Sequence, residues 1–244
     1  MSKLISIIIP ALNEEKLLPV ILEQLTESSL RKKYDFEIIV SDGGSTDRTI
    51  DIAKKYADKI VYKEENKEQN ISQGRNAGAK VAEGEILVFL NCDTMIEKPH
   101  KFFETIINKF LPGNYLAMTC PVHVFPADSK LEDKIFLTFY NYYFWFLNII
   151  GLGMGRGECH VMRKSVFDEL NGYDEKLIAG EDFELFKRIR RKGKILFANK
   201  LTVFESPRRY RKYGHFRILF TWLSNSISVI FTKKSLSKTW EQVR

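Results

Sequence analysis

Four groups of residues in this sequence have types and spacings suited to chemistry on a phosphorylated substrate. The first closes the apolar run Ile86 to Leu90 with Asn91-Cys92-Asp93. Alternate side chains of a strand share a face, so Asn91 and Asp93 are expected to point together while Cys92 turns away. Ligands of open α/β sheets bind just outside the carboxyl ends of the strands, where Asp93 falls. With Asn91 beside it, Asp93 can hold Mg²⁺ or Mn²⁺ that is carried mainly by substrate phosphates. Such an ion would stabilise charge on a departing diphosphate. The same tripeptide also suits a plain turn, because Asn and Asp are common turn residues.

The second group is a pair of loops, Pro10-Ala11-Leu12-Asn13-Glu14-Glu15 and Asp42-Gly43-Gly44-Ser45-Thr46-Asp47. A carboxylate there can accept hydrogen bonds from a base N–H or a ribose hydroxyl, and Gly43 permits close backbone approach. Asp42 and Asp47 serve equally well as turn or cap residues. Third comes Gly180-Glu181-Asp182 at the start of a helix, where the dipole favours a carboxylate by about 0.3–1 kcal/mol. That is under one pKa unit, so Asp182 is expected to be ionised near neutral pH and able to take a proton. Helix-start charge complementarity accounts for it too. The fourth is Arg208, Arg209, Arg211 and Lys212, whose guanidinium forks match phosphate oxygens, although a charge run is also an ordinary solvated face.

The elements that position these groups follow from hydrophobic period. Leu4 to Ile9 is a β-branched run suited to a strand buried on both faces, ended by Pro10. Glu14 to Ser28 has apolar residues at helical spacing, and Phe36 to Val40 is the next strand. A helix from about Asp47 to Tyr56, a strand Lys59 to Tyr62, a helix from about Asn70 to Ala82 and the strand Ile86 to Leu90 come next. This rhythm predicts parallel βαβ units. Small residues at 74, 77, 78, 79 and 82 let the helix before the fourth strand approach the sheet, and Gly84 is placed as its stop. The fold class is therefore α/β, a mostly parallel central sheet flanked by helices. A helix from about Pro99 to Phe110, strands near 116–122 and 157–162, a helix to about Gly193 and short strands at 195–197 and 201–204 complete the sheet region.

Two segments stand apart. Residues 135–155 carry no charged side chain and hold eight aromatics between Phe136 and Phe146. The length is marginal for a transmembrane helix, which needs roughly 20 apolar residues. Tyr and Trp favour an interface, so a buried or interfacial helix is expected, with a span or a lid as alternatives. The tail, with Phe216, Leu219, Phe220, Leu223, Ile227, Ile230 and Phe231 at helical spacing and Arg217, Lys233, Lys234 and Lys238 around it, fits an amphipathic helix. The opening Met1 to Ile9 is too short for a signal peptide and leads into Pro10 and acidic Glu14-Glu15 with no small-residue cleavage site.

At 244 residues with 44% hydrophobic and 28% charged residues the chain is globular. Its net charge of +7 suits an anionic partner; no nucleic-acid-binding motif accompanies it, so none is expected. Cys92, Cys120 and Cys159 are odd in number and lack a CxxC pair, which argues against a disulfide framework or zinc knuckle and for a reducing, cytoplasmic setting. There is no GxGxxG and no GxxxxGK[ST], which removes the main support for dinucleotide dehydrogenases and P-loop NTPases.

The order PALNEE, SDGGSTD, GRNAGAKVAEGEILVFLNCDT and GYDEKLIAGEDFELFKRIRRKG resembles the family 2 glycosyltransferases, the inverting group with the Rossmann-like GT-A fold. The resemblance covers about Leu4 to Arg209. It implies a catalytic domain over residues 1–206, with a nucleotide-binding half at 1–94 and an acceptor half at 95–206. Residues 207–244 then form a basic segment and tail packed on the domain or a membrane surface. Pro10, Leu12, Glu14 and Asp42 would cradle the nucleotide, with Asp47 supporting their loop and Arg75 near the diphosphate. Asp93 would be the last carboxylate of the DxD metal motif, and Asp182 of the Glu181-Asp182 pair the catalytic base. Arg208 and Arg209 would offset leaving-group charge. The chain departs from the pattern at Gly43, where a second acid is usual, and at Asn91, which replaces the first acid of DxD. It lacks the QxxRW of processive enzymes.

The expected activity is transfer of one sugar from a UDP- or GDP-sugar, with a divalent cation, to a lipid-linked or glycan acceptor through a hydroxyl or a polyprenyl phosphate. Residues 135–155 and 216–234 are expected to give peripheral contact with the cytoplasmic membrane face. A nucleotidyltransferase and a non-catalytic nucleotide-sugar-binding protein are the alternatives.

Overall fold

Seven strands form the main sheet of the computed structural model, which describes residues 4–66, 68–232, 234–237 and 243. The expectations placed on Met1 to Lys3, Lys233, Lys238 and the side chains of Ile227, Ile230 and Phe231 lie outside the described residues. In chain order the elements begin β1 (Ile5–Ala11), α1 (Leu18–Leu25), α2 (Ser28–Lys33), β2 (Phe36–Asp42), α3 (Thr49–Tyr56), β3 (Lys59–Tyr62), α4 (Ile71–Lys80) and β4 (Ile86–Leu90). They continue β5 (Thr94–Ile96), α5 (Pro99–Thr105) running into a π turn Ile106–Phe110, β6 (Tyr115–Thr119), β7 (Val122–Val124) and α6 (Leu131–Ile149). The chain then forms β8 (Cys159–Arg163), α7 (Lys164–Glu169), α8 (Glu181–Lys192), β9 (Lys194–Phe197), β10 (Val203–Glu205), α9 (Arg208–Tyr213) and α10 (His215–Thr232).

The sheet order is β3-β2-β1-β4-β8-β6-β9, parallel except for β8, which runs against both neighbours. A second, three-stranded sheet has the order β5-β10-β7. β1 reads as a continuous apolar run because both of its faces are covered. Ile5, Ile7 and Ile9 pack with α1, α2 and α5 through residues such as Leu22, Leu30 and Phe103, whereas Ile8 meets the opposite layer with Ala79, Phe186 and Ile189. Full burial of one such side chain contributes about 1.5–3 kcal/mol. Small residues bring α4 against this layer: a Cβ on Gly78 would stand 2.4 Å from Cγ2 of Ile8.

Several boundaries differ from the sequence reading. Pro10 does not end β1; it pairs with Ser41 of β2, and the register with β4 stops at Ile8, so its missing N–H costs no ladder bond. The helix expected from Glu14 to Ser28 is shorter, α1 from Leu18 to Leu25, ended at Thr26, which donates its hydroxyl to the carbonyl of Leu22; a separate helix, α2, starts at Ser28. Gly84 is not the stop of α4, which ends at Lys80 with Val81 as its cap. It is needed because a Cβ there would lie 2.5 Å from the Ser6 nitrogen and 2.6 Å from the Ile5 carbonyl carbon.

The aromatic segment is α6, and it starts earlier than the uncharged stretch, at Leu131, because Glu132 and Asp133 favour its first turn. One face, with Tyr140, Phe144 and Leu147, packs on Leu177, Phe183 and Val229. Ile135, Phe139, Tyr142, Phe146 and Ile149 remain exposed, as do Phe216 and Phe220 of α10. Among the described residues no helix is long and apolar enough to cross a membrane.

Candidate active site

Parallel strands deliver the loops after β1 and β2 to one edge of the sheet, where polar bonds stitch them together. Asn13, at φ 52°, accepts at Oδ1 from the Thr46 N–H at 2.7 Å, and its own N–H donates to Ser45 Oγ at 2.8 Å. The Glu14 N–H donates to Thr49 Oγ1 at 2.7 Å. Asp42 is buried, and its carboxylate accepts from the N–H groups of Gly44 at 2.8 Å and Ser45 at 3.0 Å, so it shapes its own loop. Gly43 donates its N–H to the Ala11 carbonyl and lies against Leu12, while Pro10 lies against Gly74. Against the upward push of burial, bonds from Thr49 and the Glu15 N–H hold the Asp47 carboxyl below its ordinary value.

The tip after β4 differs from the expectation. The strand ends at Leu90 and residues 91–93 form a turn closed by the Thr94 hydroxyl donating to the Asn91 carbonyl at 2.7 Å. Strand alternation therefore does not govern Asn91 and Asp93, and they go to different partners. Asn91 Oδ1 accepts from Arg75 at 3.1 Å; Asp93 Oδ2 accepts from Arg208 at 3.2 Å. Arg208 also grips both oxygens of Glu14, at 2.9 and 2.5 Å, so the start of α9 returns to the first loop. Burial pushes the Asp93 carboxyl up, with Glu14 adding to the push and Arg208 opposing it. Arg209 stands close enough for Asp93 to act on its guanidinium, whose value burial lowers.

Arg75, expected near a diphosphate, is fully buried and acts as a brace. Its Nη1 donates to Glu181 at 2.9 Å, and its Nη2 donates to Asn91 and to the Gly157 carbonyl at 2.9 Å. The other side of that residue, the Gly157 N–H, donates to Asp182 Oδ2 at 3.1 Å. Gly180 caps α8 at φ 81°, a conformation that favours glycine, and this turns Glu181 and Asp182 into the site. Asp182 departs from the ordinary carboxyl value expected of it. Burial, reinforced by Glu181, raises its carboxyl to about 7, well beyond what the helix dipole and Arg75 offset.

The family model for glycosyl transferase family 2 matches residues 6–170, more than half of the chain. The chain belongs to this family. Its sequence is 36% identical over 96 residues to the poly(ribitol-phosphate) beta-N-acetylglucosaminyltransferase TarS of Staphylococcus aureus, a match covering 38% of this chain and 17% of TarS. It is 34% identical over 126 residues to a 4,4'-diaponeurosporenoate glycosyltransferase of Staphylococcus haemolyticus, covering 49% of this chain and 32% of that protein. These matches thus span a third or less of the curated relatives' own lengths. A mannosyltransferase of Pyrobaculum calidifontis, solved with GDP-Man and Mn²⁺, superposes with a TM-score of 0.66 at 17% identity, over 90% of this chain and 65% of that one. The crystal structure of TarS residues 1–349 gives 0.60 at 18% identity, over 94% and 73%. Both share the fold, the GT-A fold expected for family 2.

For a member of family 2 the site contains charges that the motifs did not disclose. Arg156 is buried; its Nε donates to Glu158 at 3.2 Å and its Nη2 to Glu205 at 2.8 Å. Glu205 also accepts from the Tyr210 hydroxyl at 2.6 Å, and burial pushes its carboxyl up to about 8 against the pull of Arg156. The signal available in sequence was the charged tripeptide Arg156-Gly157-Glu158 directly before an apolar strand. Glu14, Asp93, Glu158, Glu181, Asp182 and Glu205 outnumber the guanidiniums of Arg75, Arg156, Arg208 and Arg209. Burial already favours protons on Glu205 and Asp182, and the remaining carboxylate oxygens are donors of the kind that Mg²⁺ and Mn²⁺ take, so the donor set fits the metal that family 2 implies, which Asp93 would hold. Glu132, Asp133 and His215 also bring ligand atoms within 4.8 Å of one another. That trio lies elsewhere, and Arg211 already occupies both Asp133 oxygens.

Proposed function

We propose that this protein is an inverting glycosyltransferase that moves one sugar at a time from a UDP- or GDP-sugar to a hydroxyl or polyprenyl-phosphate acceptor. The observation that carries the reading is Asp182, a carboxyl raised to about 7 and oriented by the Gly157 and Phe183 N–H groups. A general base works best with a value near the operating pH. Residues 1–94 bind the donor, with Pro10, Leu12, Glu14, Asp42 and Gly43 framing the nucleotide and Asp93 holding a divalent cation against the diphosphate. When bound, that cation offsets charge on the leaving group. Arg208 and Arg209 add fixed positive charge at the same place. Residues 95–206 receive the acceptor: its hydroxyl gives a proton to Asp182 as its oxygen attacks the anomeric carbon and the bond to the diphosphate breaks. A single displacement of this kind inverts the anomeric centre.

The outward face of α6, with Phe216 and Phe220, supports a lipid-borne acceptor met at a membrane surface, since aromatic side chains suit the headgroup region and the +7 charge suits anionic lipid. A thermal-shift screen of UDP, GDP and their sugars, with and without Mn²⁺, tests the donor reading, because a ligand of the folded state raises the melting temperature. Stabilisation by one nucleotide series, and sugar transfer from its member, is the expected result. Binding without transfer or hydrolysis of any donor would favour a non-catalytic sensor instead.

A further inference from the structure

Asn91 stands where the DxD pattern has its first acid, and other carboxylates approach the tip after β4 from segments distant in the chain. β8 runs antiparallel to β4, with Cys159 opposite Leu90. Glu158 directly precedes that pair in the chain and Asn91 directly follows it, and Glu158 stands close enough to Asp93 for its charge to act on that carboxyl. Arg75 ties the two segments together, because its Nη2 bonds both Asn91 and Gly157. Glu205 arrives from β10, opposite Thr94, and the Ser206 N–H donates to the Asp93 carbonyl at 3.1 Å. Glu158 and Glu205 therefore reach the edge of one guanidinium, Arg156, beside Asp93.

The other nearby acids are engaged with cations or hydroxyls. Both Glu14 oxygens lie on Arg208. Glu205 Oε1 accepts from both Arg156 and Tyr210. Glu158 bonds Arg156 through Oε2, shares a hydrogen bond with Glu205, and keeps its side chain 15% exposed, more than that of Glu205 at 11% or Arg156 at 4%. Mg²⁺ and Mn²⁺ characteristically take one or two carboxylates and complete their shell with phosphate oxygens and water.

We propose that Glu158, the residue directly before β8, is the second carboxylate of the divalent-cation site, in place of the acid missing at Asn91. This rests on the glycosyl-transfer reading, in which Asp93 holds the cation with the donor diphosphate.

The test is Mn²⁺ titration followed by electron paramagnetic resonance on the full chain saturated with UDP and, in parallel, GDP. Wild type binds Mn²⁺ with one of them, and Asp93→Asn and Glu158→Gln each weaken it by about tenfold or more, the scale on which even outer partners of a ligand act. Metal-free nucleotide affinity stays within about twofold. Iron-directed backbone cleavage of the wild-type protein, with Fe²⁺ in place of Mn²⁺, separates a ligand from a supporting residue and does not depend on a variant folding. Cuts beside both Asp93 and Glu158 are expected. Cuts beside Asp93 alone, or unchanged Mn²⁺ affinity in Glu158→Gln while Asp93→Asn loses it, overturn the assignment of Glu158 and leave the donor reading standing. Wild type that retains no Mn²⁺ with either nucleotide overturns both.

Discussion

Replacing Asp182 with asparagine should make the protein more stable as it makes it inactive, and the gain should grow with pH. The carboxyl has an ordinary value of 3.8 and is raised to about 7 in the folded chain by burial and by Glu181. Between about pH 4 and 7 the unfolded chain has lost this proton and the folded chain keeps it, so folding stability falls by about 1.36 kcal/mol per pH unit. Above pH 7 both states are ionised and the loss is complete. The full span is about 4 kcal/mol; because Asp182 is only half-buried, solvent screening brings the expected figure to about 2–4 kcal/mol. Asparagine keeps an oxygen that accepts from Gly157 or Phe183 and carries no titration. Urea unfolding of both proteins at pH 4.5 and pH 8, values chosen as roughly bracketing the transition, should show the stability difference shifting toward the asparagine form by about that amount. A difference that stays constant across this range would refute the burial argument, whatever the substrate proves to be.

The same substitution should lower kcat on a hydroxyl acceptor by about 10²–10⁴-fold, the usual range for a general base, and wild-type kcat/KM should rise with pH through about 7. Arg75→Met leaves Glu181 buried without its partner and should cost about 3–5 kcal/mol in urea unfolding. It also removes a charge that lowers Asp182, so the acid limb of the pH profile should move upward in any active fraction. Gly84→Ala pushes a methyl into the β1 backbone and should cost about 1–3 kcal/mol, read as a lower urea midpoint. Wild type should float with anionic liposomes at low salt, and Phe139→Glu with Phe216→Glu should abolish flotation with the melting temperature little changed, since both side chains are exposed. Co-flotation of the double variant would remove the membrane assignment.

The βαβ half was legible because doubly buried strands such as β1, β2 and β4 must be largely apolar, and α4 had to be rich in small residues to reach Ile8. The motifs placed Asp93 and the Glu181-Asp182 pair at one end of that sheet. What sequence could not supply was pairing between distant segments. β5 and β10 have three residues each, too few to show a period, yet β10 brings Glu205 to the site. The contact of Arg208 with Glu14 spans 194 positions. The reading of Asp182 as ordinary failed because a helix-end dipole can be judged locally, whereas desolvation depends on what packs around the carboxyl. For the same reason sequence alone could not show that Arg75 is buried with its charge matched by Glu181.

The residue between Arg75 and Asp182 has no side chain to contribute, yet its backbone spans the gap between them. The Gly157 carbonyl faces Arg75 and the Gly157 N–H faces Asp182. These two groups belong to successive amide planes that meet at a single Cα, and each plane is stiff about its own C–N bond. The spacing between brace and base is therefore set by one pair of backbone torsions. A methyl on that Cα would come within 3.0 Å of Arg75 Nη2, so the link also admits little bulk. A displacement of Arg75 as small as a fraction of an ångström would thus be handed on to Asp182 as a rotation, which couples α4 to the start of α8 through one residue.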